Sequence, residues 1–497
     1  MNASLEALTR HCEQEALALS GAIQPHGALV HIRSSDGRIG HASANLHEYC
    51  GQAARTVIGQ DGRAWLASLG VALAELPGRP GQRQLLHAAL SGPRGELDLI
   101  LSANPHGWLV EMEPAHWGGA DTTRAVANQA RLLRAPDSEA GFAVLQCDLV
   151  EALQDMTGYD RVMLYRFHPD WSGEVVAEVS SGAYGSYLGL RFPASDIPAI
   201  ARQLYVQTPY RHIPEVGAEP VPLIGEGEVV DQTWSDLRSV SPVHMQYLRN
   251  MQVGASFSIS VVLVGQLWGL IACHHRVPRP LSLGVRALCA EVARGFTLAL
   301  TAWNASQRAR LRDLTQARVD ELIEHLSSSD SLAAAIEKHH EPLLEFMHAG
   351  GGALVLGDEL IAFGDAPRLE WLEQIDHWFS AQRQEGVHAT DRLAEQLGLE
   401  PEPERDAVAS GVLGLRMMSQ RSGLAVRLYW FRPEEPREVA WAGNPNKPVE
   451  LNPGGMRFSP RHSFERWVEI HHGHSNPWTS EDLLAATLLR AQLSRWL

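Results

Sequence analysis

Cysteine is scarce: Cys12, Cys50, Cys147, Cys273 and Cys289 are the five in 497 residues, and no two form a CxxC pair. That argues against a disulfide framework or a zinc ribbon and fits a reducing, cytoplasmic setting. A secretory leader is not visible, because the N-terminal MNASLEALTRHCEQEALALSG is charged and lacks an apolar core. A membrane-spanning run is also missing. Met251 to Cys273 is uncharged, but Gln252, Ser256, Ser258, Ser260, Gln266 and three glycines interrupt it. Residues 256–260 alternate polar and apolar, the period of a strand, and Val264-Gly265-Gln266 supplies a turn, so a β-hairpin is expected there and no membrane partner. There is no basic block: Lys plus Arg is 42 against 58 Asp plus Glu, a net charge of −16, which disfavours nucleic-acid partners. GxSxG, HExxH and GxGxxG are absent, and Gly350-Gly351-Gly352 lacks the Lys-Ser/Thr of a phosphate loop. His471, His472 and His474 have no acidic or cysteine partner at ligand spacing, so no metal is expected. No nucleophile–base–acid constellation is identifiable, and no catalytic domain is expected in this chain.

What is present describes an ordinary globular chain, with 45% apolar and 20% charged residues and length for about three domains. Strand and turn signals recur over residues 22–115, including a hairpin of Gly95–Leu101 with Gly107–Met112. Residues 118–138 form a polar linker that becomes helical. Phe142–Met156 has helical periodicity, and Arg161–Phe167 and Glu174–Val179 are strands joined by Pro169-Asp170-Trp171-Ser172-Gly173. Residues 281–326 contain no proline and predict one helix of about 65–70 Å. Its apolar series Leu288, Val292, Phe296, Leu300 and Trp303 suits pairing with a second copy, or packing on the chain's own sheet. The last helix begins near Thr479, an N-cap with Asp482 three residues on.

Several segments suggest a ligand site. Gly21-Ala22-Ile23-Gln24-Pro25-His26-Gly27 is a tight bend downstream of Cys12. In Phe192-Pro193-Ala194-Ser195-Asp196-Ile197-Pro198, two prolines fix the backbone carbonyl of Asp196 as an acceptor. Ser241 and Pro242 suit the N-cap and first position of a helix, and His244, Tyr247 and Met251 share one face of it. Arg211, Arg238, Tyr205 and His274 complete a set whose guanidinium forks match a dianionic ligand.

In order along the chain, these segments resemble the bacteriophytochromes, biliverdin-binding red/far-red photoreceptors. Cys12-Glu13-Gln14-Glu15 with Ile23-Gln24-Pro25-His26-Gly27 resembles the start of the family's PAS domain. Pro193-Ala194-Ser195-Asp196-Ile197-Pro198, Ser241–Met251 and Leu267–His275 resemble its GAF motifs. Trp441-Ala442-Gly443 and Pro460-Arg461-His462-Ser463-Phe464 resemble its PHY tongue. One departure is Ala18-Leu19-Ser20, where many relatives carry His-Ile-Pro.

The resemblance implies an α+β chain of three tandem PAS/GAF-like domains with central antiparallel sheets, a figure-of-eight knot, a long connecting helix and a tongue hairpin. It implies a PAS domain over 1–120, a GAF domain over 121–305 with its helix continuing to about 326, and a PHY domain over 327–497 with the tongue at about 433–475. Cys12 would carry biliverdin IXα as a thioether, and Ile23 would sit in the lasso of the knot. Arg211 and Arg238, helped by Ser241, Ser256 and Ser258, would hold the propionates. His244 and the Asp196 carbonyl, with Ile197, Pro198 and Tyr205 beside them, would face the pyrroles. His274 would bond ring D inside a cavity of Tyr165, Phe192 and Tyr247. Arg461 or Ser463 would meet the Asp196 carboxylate according to state. Implied partners are a second copy through helix 281–326, an output histidine kinase beyond this chain and a response regulator. A histidine kinase would need a phospho-accepting histidine and an ATP site after the last helix, so an excised photosensory core is expected. Two other classes remain in view: a GAF-type sensor of a small metabolite, which has no need of Cys12, and a Cys-thiolate enzyme, which needs a base.

Overall fold

The computed structural model describes residues 15–71, 75–115, 122–182, 185–382, 386–400, 402–419, 423–445 and 463–496. Two compact units emerge, one over 1–303 with 440–467, the other over 304–439 with 468–497.

In the first unit the strands are β1 (Ala22–Ile23), β2 (Ala28–Arg33), β3 (Ile39–Ser43), β4 (Arg83–Gly92), β5 (Gly95–Asn104), β6 (Gly107–Pro114), β7 (Arg161–Phe167), β8 (Gly173–Ser180), β9 (Arg191–Phe192), β10 (Tyr210–Ile213), β11 (Val221–Gly225), β12 (Ala255–Leu263) and β13 (Gln266–His275). They form two sheets. One runs β1-β11-β3-β2-β6-β5-β4, and the other contains β10-β12-β13-β7-β8-β9. Residues 256–275 make the expected hairpin, with Ser258 opposite Ala272 and Ser256 opposite His274. Val264 and Gly265 both take positive φ at its tip, the left-handed turn geometry a two-residue hairpin requires.

The strand β11 belongs by sequence to the second sheet's part of the chain, yet it lies between β1 and β3 of the first. Residues 18–24 are bonded on one side to the 221–223 arm, with Leu223 N donating to Gly21 O at 2.9 Å. On the other side they meet the 232–239 arm: Gln232 N to Ala18 O at 2.8 Å, Gln24 N to Leu237 O at 2.7 Å, and Ser239 N to Ala22 O at 3.1 Å. The N-terminal segment thus passes between two arms of one later loop, which is the knot. Ile23 is fully buried there against Leu29, Leu109, Val230 and Leu237. Gly27 is required at this crossing, since a Cβ would lie 2.6 Å from the Leu237 side chain and 2.7 Å from Met112 O.

The helix Leu283–Ser327 is a single element of 45 residues. Of the apolar series that suits a second copy, Val292, Phe296, Leu300 and Trp303 are buried in the first unit's own core, with Phe142 stacked on Trp303 at 5.6 Å. Self-packing therefore accounts for that stripe, because the sheet beneath it needs a cover. The large apolar side chains this helix exposes are Leu298 and Leu314.

In the second unit, β14 (Gly351–Leu356), β15 (Glu359–Gly364), β16 (Val387–Thr390), β17 (Gly411–Met418) and β18 (Ala425–Arg432) form an antiparallel sheet in the order β15-β14-β18-β17-β16. Gly351 and Gly352 open β14 rather than forming a separate turn. The final strands, β19 (Arg437–Ala442) and β20 (Arg466–His471), both fall within the expected tongue, and Trp441 pairs in parallel with Arg191 of β9. The closing helix Ser480–Trp496 has a reciprocal cap: Asp482 N donates to Thr479 Oγ1 at 3.1 Å and Thr479 N to Asp482 Oδ2 at 2.8 Å. Among the described residues no helix is long and apolar enough to cross a membrane.

Candidate functional site

A cavity of about 290 Å³ lies on the second sheet of the first unit. Its floor is made of every second residue of three strands: Met163 and Tyr165 of β7, Ser256 and Ser258 of β12, and Leu270, Ala272 and His274 of β13. A strand sends alternate side chains to one face, so these residues converge without being adjacent in sequence. One wall is the helix Pro242–Asn250, which supplies Val243, His244, Tyr247 and Leu248. The other is the 3₁₀ turn Ala194–Asp196 with the helix Ala199–Gln207, which supplies Asp196, Ala201, Leu204 and Tyr205.

Ser241 occupies the N-cap position and Pro242 the first turn, as their types suggest. The Ser241 hydroxyl makes no capping bond, however, and lines the cavity instead. Tyr247 Oη donates to Asp196 Oδ2 at 2.9 Å, tying the helix to the turn. The aromatic end of the cavity holds Tyr165 and Phe192, ring centroids 5.9 Å apart and tilted by 59°. The His244 ring stacks on Tyr247 at 6.1 Å, and Phe464 meets Tyr247 edge-on at 5.2 Å.

The opposite end is cationic. Arg211 Nη1 donates to Ser235 O at 3.3 Å and Asp236 O at 3.2 Å, and its Nη2 reaches Arg238 O and Ser239 O. Arg238 Nη1 donates to Thr233 O at 2.9 Å and Gln232 O at 3.2 Å. Among the described residues, then, both guanidiniums bond to neutral backbone carbonyls rather than to a carboxylate. Burial, reinforced by the Arg211 charge, pulls Arg238 down to about 9, and burial lowers Arg211 as well. Two cations crowded in a low-dielectric site favour an anionic ligand. His244 is depressed to about 4 by burial and by Arg211, and His274 to about 3 by burial, Arg161 and His244, so both rings are neutral near pH 7. The His274 Nδ1 is buried with no partner among the described residues. A buried orphan of this kind asks for a polar ligand atom. The residues present thus fit an elongated molecule that is apolar at one end, carries a hydrogen-bonding group near His274 and is twice negative at the arginines.

Of the residues expected from the sequence, Tyr165, Phe192, Asp196, Ile197, Pro198, Tyr205, Arg211, Arg238, Ser241, His244, Tyr247, Ser256, Ser258 and His274 all line this one cavity. Ile23 does not; it sits in the knot cluster. Ser463 is exposed, while Cys12 and Arg461 lie outside the described residues. Missed from sequence were, among others, the apolar floor residues Met163, Leu270 and Ala272, together with Val175, Thr208, Ser239, Glu15, Leu17 and Pro445. The floor residues had a usable signal, the two-residue period linking Met163 to Tyr165 and Ala272 to His274.

The chain matches the family models for a PAS fold over residues 12–115, a GAF domain over 145–300 and the phytochrome region over 315–497. It is 34% identical over 505 residues to a bacteriophytochrome of Pseudomonas aeruginosa, covering 97% of this chain and 66% of that protein. A bacteriophytochrome of Xanthomonas campestris pv. campestris is 32% identical, with 96% of this chain and 77% of that protein covered. The crystal structure of a bacteriophytochrome from the photosynthetic bacterium R. palustris superposes with a TM-score of 0.81 at 31% identity, covering 98% of this chain and 99% of that one. The chain spans just under two thirds of the length of the first curated relatives it matches, 66% and 65%, and it belongs to the phytochrome family, with the PAS, GAF and phytochrome-region domains in that order.

Proposed function

We propose that the chromophore is biliverdin, attached through a thioether to Cys12 and lying in the cavity above β12 and β13. The observation that carries this reading is the Arg211–Arg238 pair, one half-buried and one buried cation with backbone carbonyls as partners, at one end of a cavity that is aromatic at the other. Bound biliverdin supplies the conjugated double bond that light isomerises. Arg211 and Arg238, with Ser241, Ser256 and Ser258, hold the propionates. His244 and the Asp196 carbonyl face the pyrrole nitrogens, and His274 donates to the ring D carbonyl. Tyr165, Phe192 and Tyr247 enclose ring D and exclude water. The Asp196 carboxylate, bonded to Tyr247 here, exchanges partners between Arg461 and Ser463 as the tongue changes form. A change of tongue form is then relayed along the helix Leu283–Ser327, which we assign to a homodimer contact, to a histidine kinase and its response regulator. The domains proposed are PAS over 1–120, GAF over 121–305 and PHY over 327–497.

The test is assembly with biliverdin. The wild-type chain should turn green-blue, absorb in the red and interconvert two spectra under alternating red and far-red light. Cys12→Ser should abolish the covalent, zinc-fluorescent band on a denaturing gel. A persistent adduct in Cys12→Ser would move the attachment point elsewhere.

A further inference from the structure

We propose that Glu111 is a positioning residue for the anion-binding end of the cavity: its carboxylate locks the turn 235–239 in the form that presents Arg238 and seats Arg211. This rests on the reading of the cavity as a site for a dianionic bilin. Glu111 stands on β6 in the first sheet, does not line the cavity and is fully buried. Its Oε1 accepts from Ser235 Oγ at 2.6 Å and from Leu237 N at 2.8 Å, and Oε2 accepts from Asp236 N at 3.3 Å. The Ser235 hydroxyl, having donated to Glu111, accepts from Arg238 N at 3.0 Å. On the carbonyl side of the same turn lies the Arg211 guanidinium, bonded to Ser235, Asp236, Arg238 and Ser239. An anion collects the N–H groups and a cation collects the carbonyls, so the peptide dipoles of the turn are aligned between two opposite charges. Releasing the anion frees the N–H groups and loosens both arginines at once.

A neutral amide at 111 keeps an acceptor but turns a donor toward a row of donors, so Glu111→Gln should open the turn without removing volume. The experiment measures reversible binding, by absorption titration at a pH above the raised Glu111 value so that its carboxylate is ionised, in the full chain carrying Cys12→Ser. Two ligands are used, biliverdin and its dimethyl ester, which lacks both propionate charges. Adding Glu111→Gln should raise the Kd for biliverdin about ten-fold, the scale of one charge-assisted contact, and the Kd for the ester less than about two-fold. Equal weakening toward both ligands means a merely structural role and overturns the inference, as does no weakening. Arg238→Ala is the reference. If it discriminates between the ligands and Glu111→Gln does not, only the positioning inference falls. If Arg238→Ala fails to discriminate, the propionate reading falls with it. Should Glu111→Gln not fold, Ser235→Ala interrupts the same relay and is read in the same way.

Discussion

Gly173 shows how closely single residues shape the cavity. It opens β8 opposite Phe192 of β9, and a Cβ there would lie 1.8 Å from the Tyr165 ring. Tyr165 has little room to retreat, packed as it is against Phe167 at 5.2 Å and Phe192 at 5.9 Å. Gly173→Ala should therefore push the ring toward the cavity, at a cost of about 1–3 kcal/mol, the usual range for overpacking. A lower denaturant midpoint together with weaker biliverdin uptake is the expected pair of results. Unchanged values of both would show that the ring yields without cost.

Among the elements, the closing helix offers a graded test. Thr479 and Asp482 cap each other, so Thr479→Ala should cost about 1 kcal/mol in urea unfolding. Asp482 has a second duty. Its Oδ2 lies 3.2 Å from Arg432 Nη2, both side chains being buried, and Arg432 also stacks on Trp478 at 3.8 Å. Asp482→Ala would leave that guanidinium without its counter-ion, although four backbone carbonyls of Met347, His348, Asn476 and Pro477 still receive it. The loss should be about 3–5 kcal/mol, and similar values for the two variants would contradict the ion pair's role.

For the whole molecule, buried histidines set the response to acid. Burial lowers His26 and His274 to about 3, and His31 and His244 to about 4, from an unfolded value of 6.5. A depressed folded pKa means that the unfolded chain binds more protons below 6.5. The stabilisation is therefore complete above 6.5 and disappears as pH falls toward 4 and 3, by up to ~1.4 kcal/mol per pH unit for each histidine. Glu111, raised by burial and by Asp236, acts in the opposite sense, its contribution fading as pH rises through the raised value. Glu113 is raised by burial as well, but the lowered histidines, His212 among them, outnumber these two carboxyls and predict a net loss on acidification of the ligand-free protein. Calorimetric melting temperatures that stay flat between pH 7 and 5 would refute it. At this scale the dimer is also open to test: light scattering should give twice the mass of one chain, and a monomer at tens of micromolar would count against the helix Leu283–Ser327 as the contact.

The sequence by itself determined whatever is local and periodic. The hairpin β12–β13, the helix Leu283–Ser327, the Ser241-Pro242 helix start and the Thr479–Asp482 cap all follow from neighbours one to four residues apart. Ordered motifs were enough to gather the cavity residues into one set. Only the tertiary structure decided which face of the long helix its own sheet would cover, because Val292 and Leu298 are equally apolar in sequence and differ only in what lies opposite. It also kept Ile23 out of the cavity and left the Ser241 side chain without a capping bond. Glu111 is the deepest instance. A glutamate in a strand suggests a solvent-facing side chain, and its partners lie 124 to 126 residues away, joined to it only once the later loop has wrapped the N-terminal segment. Contacts at that separation leave no periodic trace in a single sequence, since the chain must close before they exist.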